Sequence, residues 1–397
     1  MQAAGVGRVF LRKGRERRVK AGHLWVYAGE IEKTGDGLSP GDPVEVVDHR
    51  GRFLARGYYN PASTISVRLL TRRKDEAPDA ALLRRRIARA IAYRRQFYEA
   101  GESCRMVFSE GDMLPGLTVD RYGPFLSVQI ATLGMDRLRD EIVAALKDAI
   151  HPRGMYERSD LPSRQREGLE ARTGVLDGEV PDEIEVTLDD LKFLVSLRAG
   201  QKTGLFLDQR FNRRALQPHA RGRRALDVFC NTGSFGLYAL KAEAERCTGI
   251  EISAECLDLA RRNAALNGLA ERCEWIEGNA FDHLKAFDQR KERFDLIILD
   301  PPAFTKSAKA TEAAVRGYKE INLRAFRLAA PGAVVATSSC SYHLGPEEFL
   351  EVLRDAAADA GRDVTLVDLR GQAPDHPVNL AVPETRYLKF AILIVRS

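Results

Sequence analysis

Two residues in the C-terminal half of the chain could act together on a substrate. Cys340 lies in the polar segment Ser338–Tyr342, and Asp300 precedes two prolines that stiffen its loop. A thiolate can add to C6 of a cytosine ring while a carboxylic acid protonates N3, and C5 can then attack the methyl group of a sulfonium. Loss of the C5 proton eliminates the thiol. The pair predicts covalent catalysis by Cys340, with Asp300 as the general acid.

A second set of residues predicts a slot for an adenosine group. Gly233, in the run Asp227–Gly236, allows a tight turn, and Glu251 follows the start of that run by 24 residues. A carboxylate there can accept both hydroxyl protons of a ribose, and Asn279–Ala280 could meet a purine edge. The chain has neither GxGxxG nor GxxxxGK[ST], which argues against a phosphate cradle. The combination points to S-adenosylmethionine (SAM).

The elements that must hold these residues are apolar runs that alternate with helical patterns from about residue 200 onward. This alternation predicts a doubly wound, mostly parallel α/β sheet that binds ligands outside the carboxyl ends of its strands. The last two runs could form a closing antiparallel pair. The predicted strands are RALDVFC (224–230), RCTGIEI (246–252), CEWIEGN (273–279), FDLIILD (294–300), GAVVATSSC (332–340), VTLVDLR (364–370) and LKFAILIV (388–395).

The N-terminal half has a different pattern of apolar and polar residues. Short alternating runs broken by Gly and Pro predict a small β-barrel between residues 8 and 71. A basic amphipathic helix is predicted at about Pro78–Tyr98, and we expect it to pack on the protein first and to contact nucleic acid second. Its apolar face consists of Leu83, Ile87 and Ile91. A small α+β unit, with a helix over Met135–Ile150 and no catalytic constellation, is predicted between residues 104 and 190.

Composition narrows the class of protein. The chain has 397 residues, 44% of them apolar and 29% charged, which fits two or three globular domains. It contains no run of 18 apolar residues, so we expect no membrane-spanning helix. Its six cysteines form no CxxC pair and no zinc-like spacing, so we expect free thiols, no metal and a cytoplasmic location.

The charge is distributed unevenly along the chain. Residues 1–110 carry 22 Lys and Arg against 13 Asp and Glu, whereas the remainder carries 39 against 43. A basic front on a mildly acidic body suggests a footprint for a polyanion. The alternative is that these side chains merely keep a small domain solvated, and charge alone does not separate the two interpretations.

In these motifs the chain resembles the RlmI-like family of class I SAM-dependent ribosomal RNA methyltransferases. The resemblance covers nearly the whole chain and is carried by Gln201–Arg210, DVFCNTGSFG, GIEIS, DPPAF and SSCSY, and near the front by GHLWVYAGEI and GDPVEVVD. It implies a PUA-like RNA-binding domain over residues 1–72 and a central α+β domain over 73–190. It also implies a Rossmann-like SAM-dependent methyltransferase domain over 191–397.

The resemblance implies SAM as cofactor, ribosomal RNA as partner and 5-methylcytidine in the large-subunit RNA as product. It assigns Cys340 as the nucleophile and places Asp300 beside the methyl donor and the target base. Ala303 stands where many RNA cytosine-5 methyltransferases carry a second cysteine. The residues expected to contact SAM are Phe206, Arg210, Asp227, Asn231, Thr232, Gly233, Phe235, Glu251, Ile252, Asn279, Ala280 and Asp300.

Two other functions fit the same residues. The scaffold also methylates guanine in ribosomal RNA, where no nucleophilic cysteine is needed, and a non-catalytic RNA-binding protein could retain a vestigial SAM fold. The sequence leaves the oligomeric state open, a homodimer included. Cys230 is ambiguous because it ends a strand. The cysteines predicted to be inert packing residues are Cys104, Cys247, Cys256 and Cys273.

Overall fold

The computed structural model describes residues 6–198, 205–304 and 311–396. The chain forms two compact units. The first consists of Met1–Val186, Val195–Leu207 and Pro374–Thr385, and the second consists of Thr187–Leu194, Asp208–Ala373 and Arg386–Ser397. The division into three domains at residues 72 and 190 stays a prediction.

Residues 6–198 form short strands and five helices among the residues described. The strands are β1 (Gly7–Leu11), β2 (Trp25–Val26), β3 (Ile31–Thr34), β4 (Pro43–Val47), β5 (Phe53–Tyr59), β6 (Val67–Thr71), β7 (Cys104–Phe108), β8 (Leu117–Tyr122), β9 (Phe125–Ile130), β10 (Gly154–Ser159), β11 (Arg172–Gly178), β12 (Ile184–Leu188) and β13 (Leu191–Val195). The helices are α1 (Arg17–Lys20), α2 (Ala80–Arg94), α3 (Leu133–Arg137), α4 (Arg139–Ile150) and α5 (Pro162–Arg166).

The strands of the first unit form two mixed sheets. The first has the order β2-β6-β5-β4-β1-β3, in which only the β1–β4 pair is parallel among the described strands. Its core contains side chains from alternate positions, such as Val44 and Val46, which are fully buried. The second sheet has the order β11-β10-β9-β8-β7. A separate pair, β12 with β13, includes Thr187–Leu194, which belong to the second unit. The short strands predicted for residues 8–71 are confirmed.

Helix α2 is amphipathic as predicted. Asp79 accepts a hydrogen bond from the backbone N–H of Leu82 and so caps the helix. The predicted apolar face of Leu83, Ile87 and Ile91 is buried. Arg84, Arg85, Arg89 and Arg95 are exposed. The helix therefore packs through one face and presents arginines on the other.

The helix predicted over Met135–Ile150 is interrupted. Leu138 leaves the helical conformation, with φ −98° and ψ 18°, and separates α3 from α4. Directly after this break, the guanidinium of Arg139 forms ion pairs with Asp136 and Glu157. A periodic apolar pattern does not report such polar contacts, so the sequence predicted one continuous helix.

The second unit is a single seven-stranded sheet with helices. Its strands are β14 (Arg224–Val228), β15 (Arg246–Glu251), β16 (Cys273–Glu277), β17 (Phe294–Leu299), β18 (Ala329–Ser339), β19 (Val364–Arg370) and β20 (Lys389–Val395). Its helices are α6 (Arg210–Leu216), α7 (Ser234–Lys241), α8 (Ala254–Leu266), α9 (Ala280–Gln289), α10 (Thr311–Leu328) and α11 (Pro346–Ala360). All seven strands predicted for this region are confirmed.

The strand order is β16-β15-β14-β17-β18-β20-β19. The first five strands are parallel, and β20 runs antiparallel to both β18 and β19, which confirms the predicted closing pair. Because the chain continues to opposite sides of β14, the order reverses between β14 and β17. This reversal opens a crevice at the carboxyl ends of the central strands. No helix among the described residues is long and apolar enough to cross a membrane.

Candidate active site

The loop after β14 makes a tight turn at the strand end. Phe229, Asn231 and Gly233 all adopt positive φ angles, of 63°, 49° and 79°. A Cβ on Gly233 would lie 2.6 Å from the ring of Trp275 and 3.2 Å from Ala260, so only glycine fits there. The loop leads directly into α7, whose first turn therefore begins at the crevice.

Glu251 ends β15 with its carboxylate fixed by three backbone N–H groups. Oε2 accepts a hydrogen bond from Asn231 at 3.0 Å, and Oε1 accepts from Ile252 at 2.9 Å and from Ser253 at 3.1 Å. A carboxylate has about four acceptor sites, so this one can also accept hydroxyl protons. Ile252, next to it, is 69% exposed, which is unusual for a large apolar side chain and leaves a flat surface beside Glu251.

Asn279 follows the third strand, β16, and caps the N-terminus of helix α9. Its side-chain oxygen accepts a hydrogen bond from the N–H of Phe281 at 2.9 Å, which starts α9. Asn279 is exposed and Ala280 is buried. The N–H of Gly278 donates to the carbonyl of Glu251, so this turn is held against the end of β15. The structure therefore brings the turn at 229–233, Glu251 and Asn279 together along one edge of the sheet.

Asp227 and Phe235 lie beneath this edge. Asp227 is fully buried, and its Oδ2 accepts a hydrogen bond from the N–H of Gly236 at 2.8 Å. Burial, with the charges of Asp300 and Glu251, raises the pKa of Asp227 to about 7. The ring of Phe235 stacks on Phe390 at a centroid distance of 5.8 Å. Asp227 thus holds the start of α7 through Gly236, and Phe235 packs α7 against β20. A direct contact of either side chain with a cofactor stays a prediction.

Asp300 follows β17 and is held by two side chains that sequence reasoning did not identify. Gln209 Nε2 donates to Asp300 Oδ1 at 2.8 Å, and the hydroxyl of Ser338 donates to the same oxygen. Burial of the carboxyl raises the pKa of Asp300, and the negative charge of Asp208 adds to this effect. The protonated form that a general acid needs is therefore favoured.

Cys340 follows β18 and is partly exposed. Because β17 and β18 are parallel neighbours, with Leu299 opposite Thr337, the segments that carry Asp300 and Cys340 leave the sheet side by side. Ser338 joins them, since it binds Asp300 and lies two residues before Cys340. The predicted pair is thus brought to one place.

The loop around Cys340 is fixed by two buried polar side chains. The hydroxyl groups of Tyr318 and Ser341 are 2.9 Å apart and share a hydrogen bond. Lys389 Nζ donates to the carbonyl oxygens of Ser341, at 2.7 Å, and Tyr387, at 2.9 Å. The sequence alone did not identify Lys389, because the run LKFAILIV does not show that its one lysine is buried.

Two protein families match parts of the chain. The PUA-like domain family matches residues 9–72, and the S-adenosylmethionine-dependent methyltransferase family matches residues 159–382. The chain is 41% identical to ribosomal RNA large subunit methyltransferase I of Pseudoalteromonas atlantica, over 96% of this chain and 98% of the relative. It is 38% identical to the Klebsiella pneumoniae (strain 342) protein of the same name, over 96% of each. The chain belongs to this methyltransferase family.

Solved structures share the fold of this SAM-dependent methyltransferase. A putative SAM-dependent methyltransferase from Streptococcus mutans superposes with a TM-score of 0.84 at 21% identity, covering 98% of this chain and 100% of that one. The putative methyltransferase SMU.776, complexed with SAH, gives a TM-score of 0.83 at 20% identity and the same coverage. These likenesses extend over both the PUA-like and the methyltransferase regions.

SAM is the cofactor of the methyltransferase, and the crevice fits it. The missing Cβ at Gly233 lets the turn pack against Trp275, Glu251 offers acceptors for ribose hydroxyls, and Ile252 offers an apolar face. We therefore expect the residues along this edge, Asn231 and Asn279 among them, to hold SAM. Thr232 is partly exposed there, and its carbonyl accepts a hydrogen bond from Asn263.

Arg210 and Phe206 are also predicted to contact SAM. The guanidinium of Arg210 is buried and binds Asp189 at 2.7 Å, while Tyr238 donates to the same carboxylate. Phe206 is half-buried and belongs to the first compact unit. Roles for Arg210 and Phe206 toward SAM stay predictions. Residues 201–204 of the segment Gln201–Arg210 lie outside the described residues.

The remaining cysteines divide by burial. Cys104, Cys230 and Cys247 are buried, and burial raises the pKa of each thiol, so they are poor nucleophiles. Cys256 and Cys273 are partly exposed. Among the residues that the structure describes, no group of three or more His, Cys, Asp or Glu side chains could hold a metal ion.

Proposed function

We propose that this protein transfers a methyl group from SAM to C5 of a cytidine in large-subunit ribosomal RNA through a covalent bond between Cys340 and C6. The names of its relatives supply the substrate class. The chemistry rests on one observation, the partly exposed Cys340 beside a carboxyl group whose pKa is raised. Because ribosomal RNA is the target, we infer a cytoplasmic location.

The proposed reaction conserves protons at every step. The Cys340 thiolate bonds to C6, the C5=C6 electron pair shifts to form a C4=C5 bond, and the C4=N3 electron pair takes the proton of Asp300 at N3. SAM supplies an electrophilic methyl group, and C5 forms the new bond. Loss of the C5 proton to solvent water then re-forms the C5=C6 double bond and releases the sulfur as thiolate, and the N3 proton returns to Asp300.

The hydrogen bonds to Asp300 suit this role. Gln209 and Ser338 both donate to Oδ1, so they fix the carboxyl group and leave Oδ2 for the substrate. Burial raises the pKa of Asp300 and the two hydrogen bonds lower it, and the net upward shift favours the neutral acid that donates a proton to N3. Asp300 can therefore donate its proton to N3 in the first half of the reaction and take it back in the second half.

A trapping experiment tests the proposal. RNA that contains 5-fluorocytidine at the target cannot lose a proton from C5, so the adduct with Cys340 should accumulate as a species stable to denaturing electrophoresis. Cys340→Ala should abolish both trapping and methylation and leave SAM affinity, measured by calorimetry, unchanged. Cys273→Ala is the matched control, since it removes another partly exposed thiol, and should behave as the wild type.

The outcomes separate the alternatives. Methylation by Cys340→Ala at a near-normal rate would overturn the covalent mechanism and favour guanine as the acceptor. A wild-type protein that binds no SAM would favour a non-catalytic RNA-binding role. Mapping the modified nucleosides of ribosomal RNA from cells with and without this protein then identifies the nucleotide.

A further inference from the structure

Lys389 is a buried cation, with only 3% of its surface exposed. Its ammonium group donates to two backbone carbonyls, and among the described residues it forms no ion pair with a carboxylate. Burying an ammonium group is costly unless an anion compensates its charge. Because no carboxylate forms an ion pair with Lys389, another negative charge close to it would stabilise the charged form of this side chain.

The fold places Lys389 beside Cys340. Lys389 is the first residue of β20 and lies opposite Ser339 of the antiparallel strand β18, so the two side chains emerge on the same face of the sheet. Cys340 is the next residue after Ser339. The Lys389 ammonium binds the carbonyl of Ser341, on the other side of Cys340. Lys389 thus contacts the backbone of the three-residue segment Ser339–Ser341, which has Cys340 at its centre.

The electrostatics of the segment agree with this geometry. Burial lowers the pKa of Lys389 to about 8, and a negative charge on Cys340 opposes that effect more than any other group. Glu348 on α11 also opposes it, whereas Arg386 lowers the pKa further. Tyr318 on α10 also interacts with Cys340, and its pKa is raised by burial and by the charge on Cys340.

We propose that Lys389 is a positioning residue that holds Cys340 as a thiolate ready to attack the pyrimidine, an inference that rests on the proposed function of Cys340. The Cys340 thiol gives its proton to solvent water, and the ammonium group of Lys389 stabilises the thiolate that remains, which gives an ammonium–thiolate pair. The sulfur then bonds to C6 and, at elimination, leaves as a thiolate beside the same ammonium. The two hydrogen bonds of Lys389 to carbonyl groups fix the distance between the charges.

The pH dependence of thiol alkylation tests this pairing on the full-length protein without RNA. Iodoacetamide reacts with the thiolate, and mass spectrometry of peptides reports each cysteine separately. Removing a positive charge within about 4–6 Å should raise the pH midpoint of Cys340 alkylation by about 1–3 units. We expect Lys389→Met to produce this shift and Lys389→Arg to stay near the wild-type midpoint.

Two controls isolate the buried charge. Arg386→Met removes an equal but exposed charge three residues away and should move the Cys340 midpoint much less. Cys273, alkylated in the same samples, should keep its midpoint in every variant. Lys389→Gln provides a second neutral variant, whose amide can still donate to the two carbonyls if Lys389→Met does not fold. SAM calorimetry checks that each variant is folded.

The results bear separately on the two proposals. An unchanged Cys340 midpoint in a folded neutral variant overturns the role of Lys389, whatever Cys340 does to RNA. A shifted midpoint together with RNA methylation by Cys340→Ala keeps the ion pair but removes the covalent mechanism it serves. When both proposals hold, Lys389→Met also slows trapping on 5-fluorocytidine RNA, and raising the pH restores part of the rate.

Discussion

Acidic side chains meet at three adjacent strand ends of the methyltransferase sheet. Asp227, Glu251 and Asp300 lie on or directly after β14, β15 and β17, and the charges of Glu251 and Asp300 raise the pKa of Asp227. Like charges at this spacing favour neutral forms, whereas a nearby cation favours the ionised ones. Burial and these neighbouring charges therefore favour the neutral form of Asp227 in the folded protein.

Asp227 should make the stability of the second unit depend on pH. Its pKa is about 7 in the folded protein and about 3.9 in an unfolded chain, so the folded state binds its proton more tightly. The stabilisation is complete below about pH 4 and is lost as the pH rises through about 7. Relative to Asp227→Asn, the free energy of unfolding should fall over that range by at most about 4 kcal/mol.

Urea unfolding at several pH values measures this difference. The chain has two tryptophans, and in a Trp25→Phe background the fluorescence of Trp275 reports the second unit alone. Asparagine can still accept the hydrogen bond from Gly236, so the variant changes the charge and keeps the contact. Parallel pH profiles for the two proteins would show that Asp227 is ionised in the folded state and would contradict the expectation.

Sequence patterns identified the residues at strand ends but not their partners. Asp300 and Cys340 could be selected because each follows an apolar run directly, and the structure brings them together. Gln209 and Lys389 could not, because they reach the site across 91 and 48 residues of chain, to Asp300 and Ser341 respectively. Contacts over such separations depend on how the whole sheet is assembled, which local composition does not encode.

At the scale of elements, the seven strands of the second unit were predictable because each is an apolar run. Strands such as β17 are covered on both faces, so nearly every residue is apolar and the signal is strong. The break between α3 and α4 was not predictable, since it coincides with ion pairs of Arg139 and not with Gly or Pro. Polar contacts within an otherwise periodic segment leave no mark on the pattern.

The turn between β14 and α7 yields a prediction about an element. Gly233→Ala introduces a left-handed non-glycine residue and a Cβ 2.6 Å from Trp275. Gly222→Ala is the matched control, because Gly222 has a similar φ of 68° with nothing within 4 Å of its Cβ position. We expect Gly222→Ala to cost about 1–2 kcal/mol of stability without changing SAM affinity.

Gly233→Ala should cost about 1–3 kcal/mol more than the control, because Trp275 must move, and it should weaken SAM binding at least tenfold. Urea unfolding gives the first quantity and calorimetry the second. If both variants bind SAM with wild-type affinity, the turn at Gly233 does not touch the cofactor, and the binding edge must be reassigned to the groups around Glu251.

At the scale of the whole molecule, the uneven charge matches the division into families. The PUA-like match covers residues 9–72, within the region of residues 1–110 that carries 22 basic against 13 acidic side chains. The segment from β1 to α1 is the densest part of this region. The basic residues exposed there are Arg8, Arg12, Lys13, Arg15, Arg17 and Lys20. Such a cluster attracts the phosphates of RNA without reading its sequence.

The combined change of Lys13, Arg15 and Arg17 to Gln should therefore weaken RNA binding and flatten its dependence on salt. Each lost phosphate contact reduces the slope of log affinity against log salt by about 0.7–0.9, so the slope should fall by up to about 2–3. Filter binding over a range of salt measures it, with SAM affinity expected to stay at the wild-type value. Neutralising the exposed Lys241, Lys285 and Arg354 removes the same charge from the second unit. If that control flattens the slope equally, the basic front has no special part in RNA binding, and the attraction comes from net charge alone.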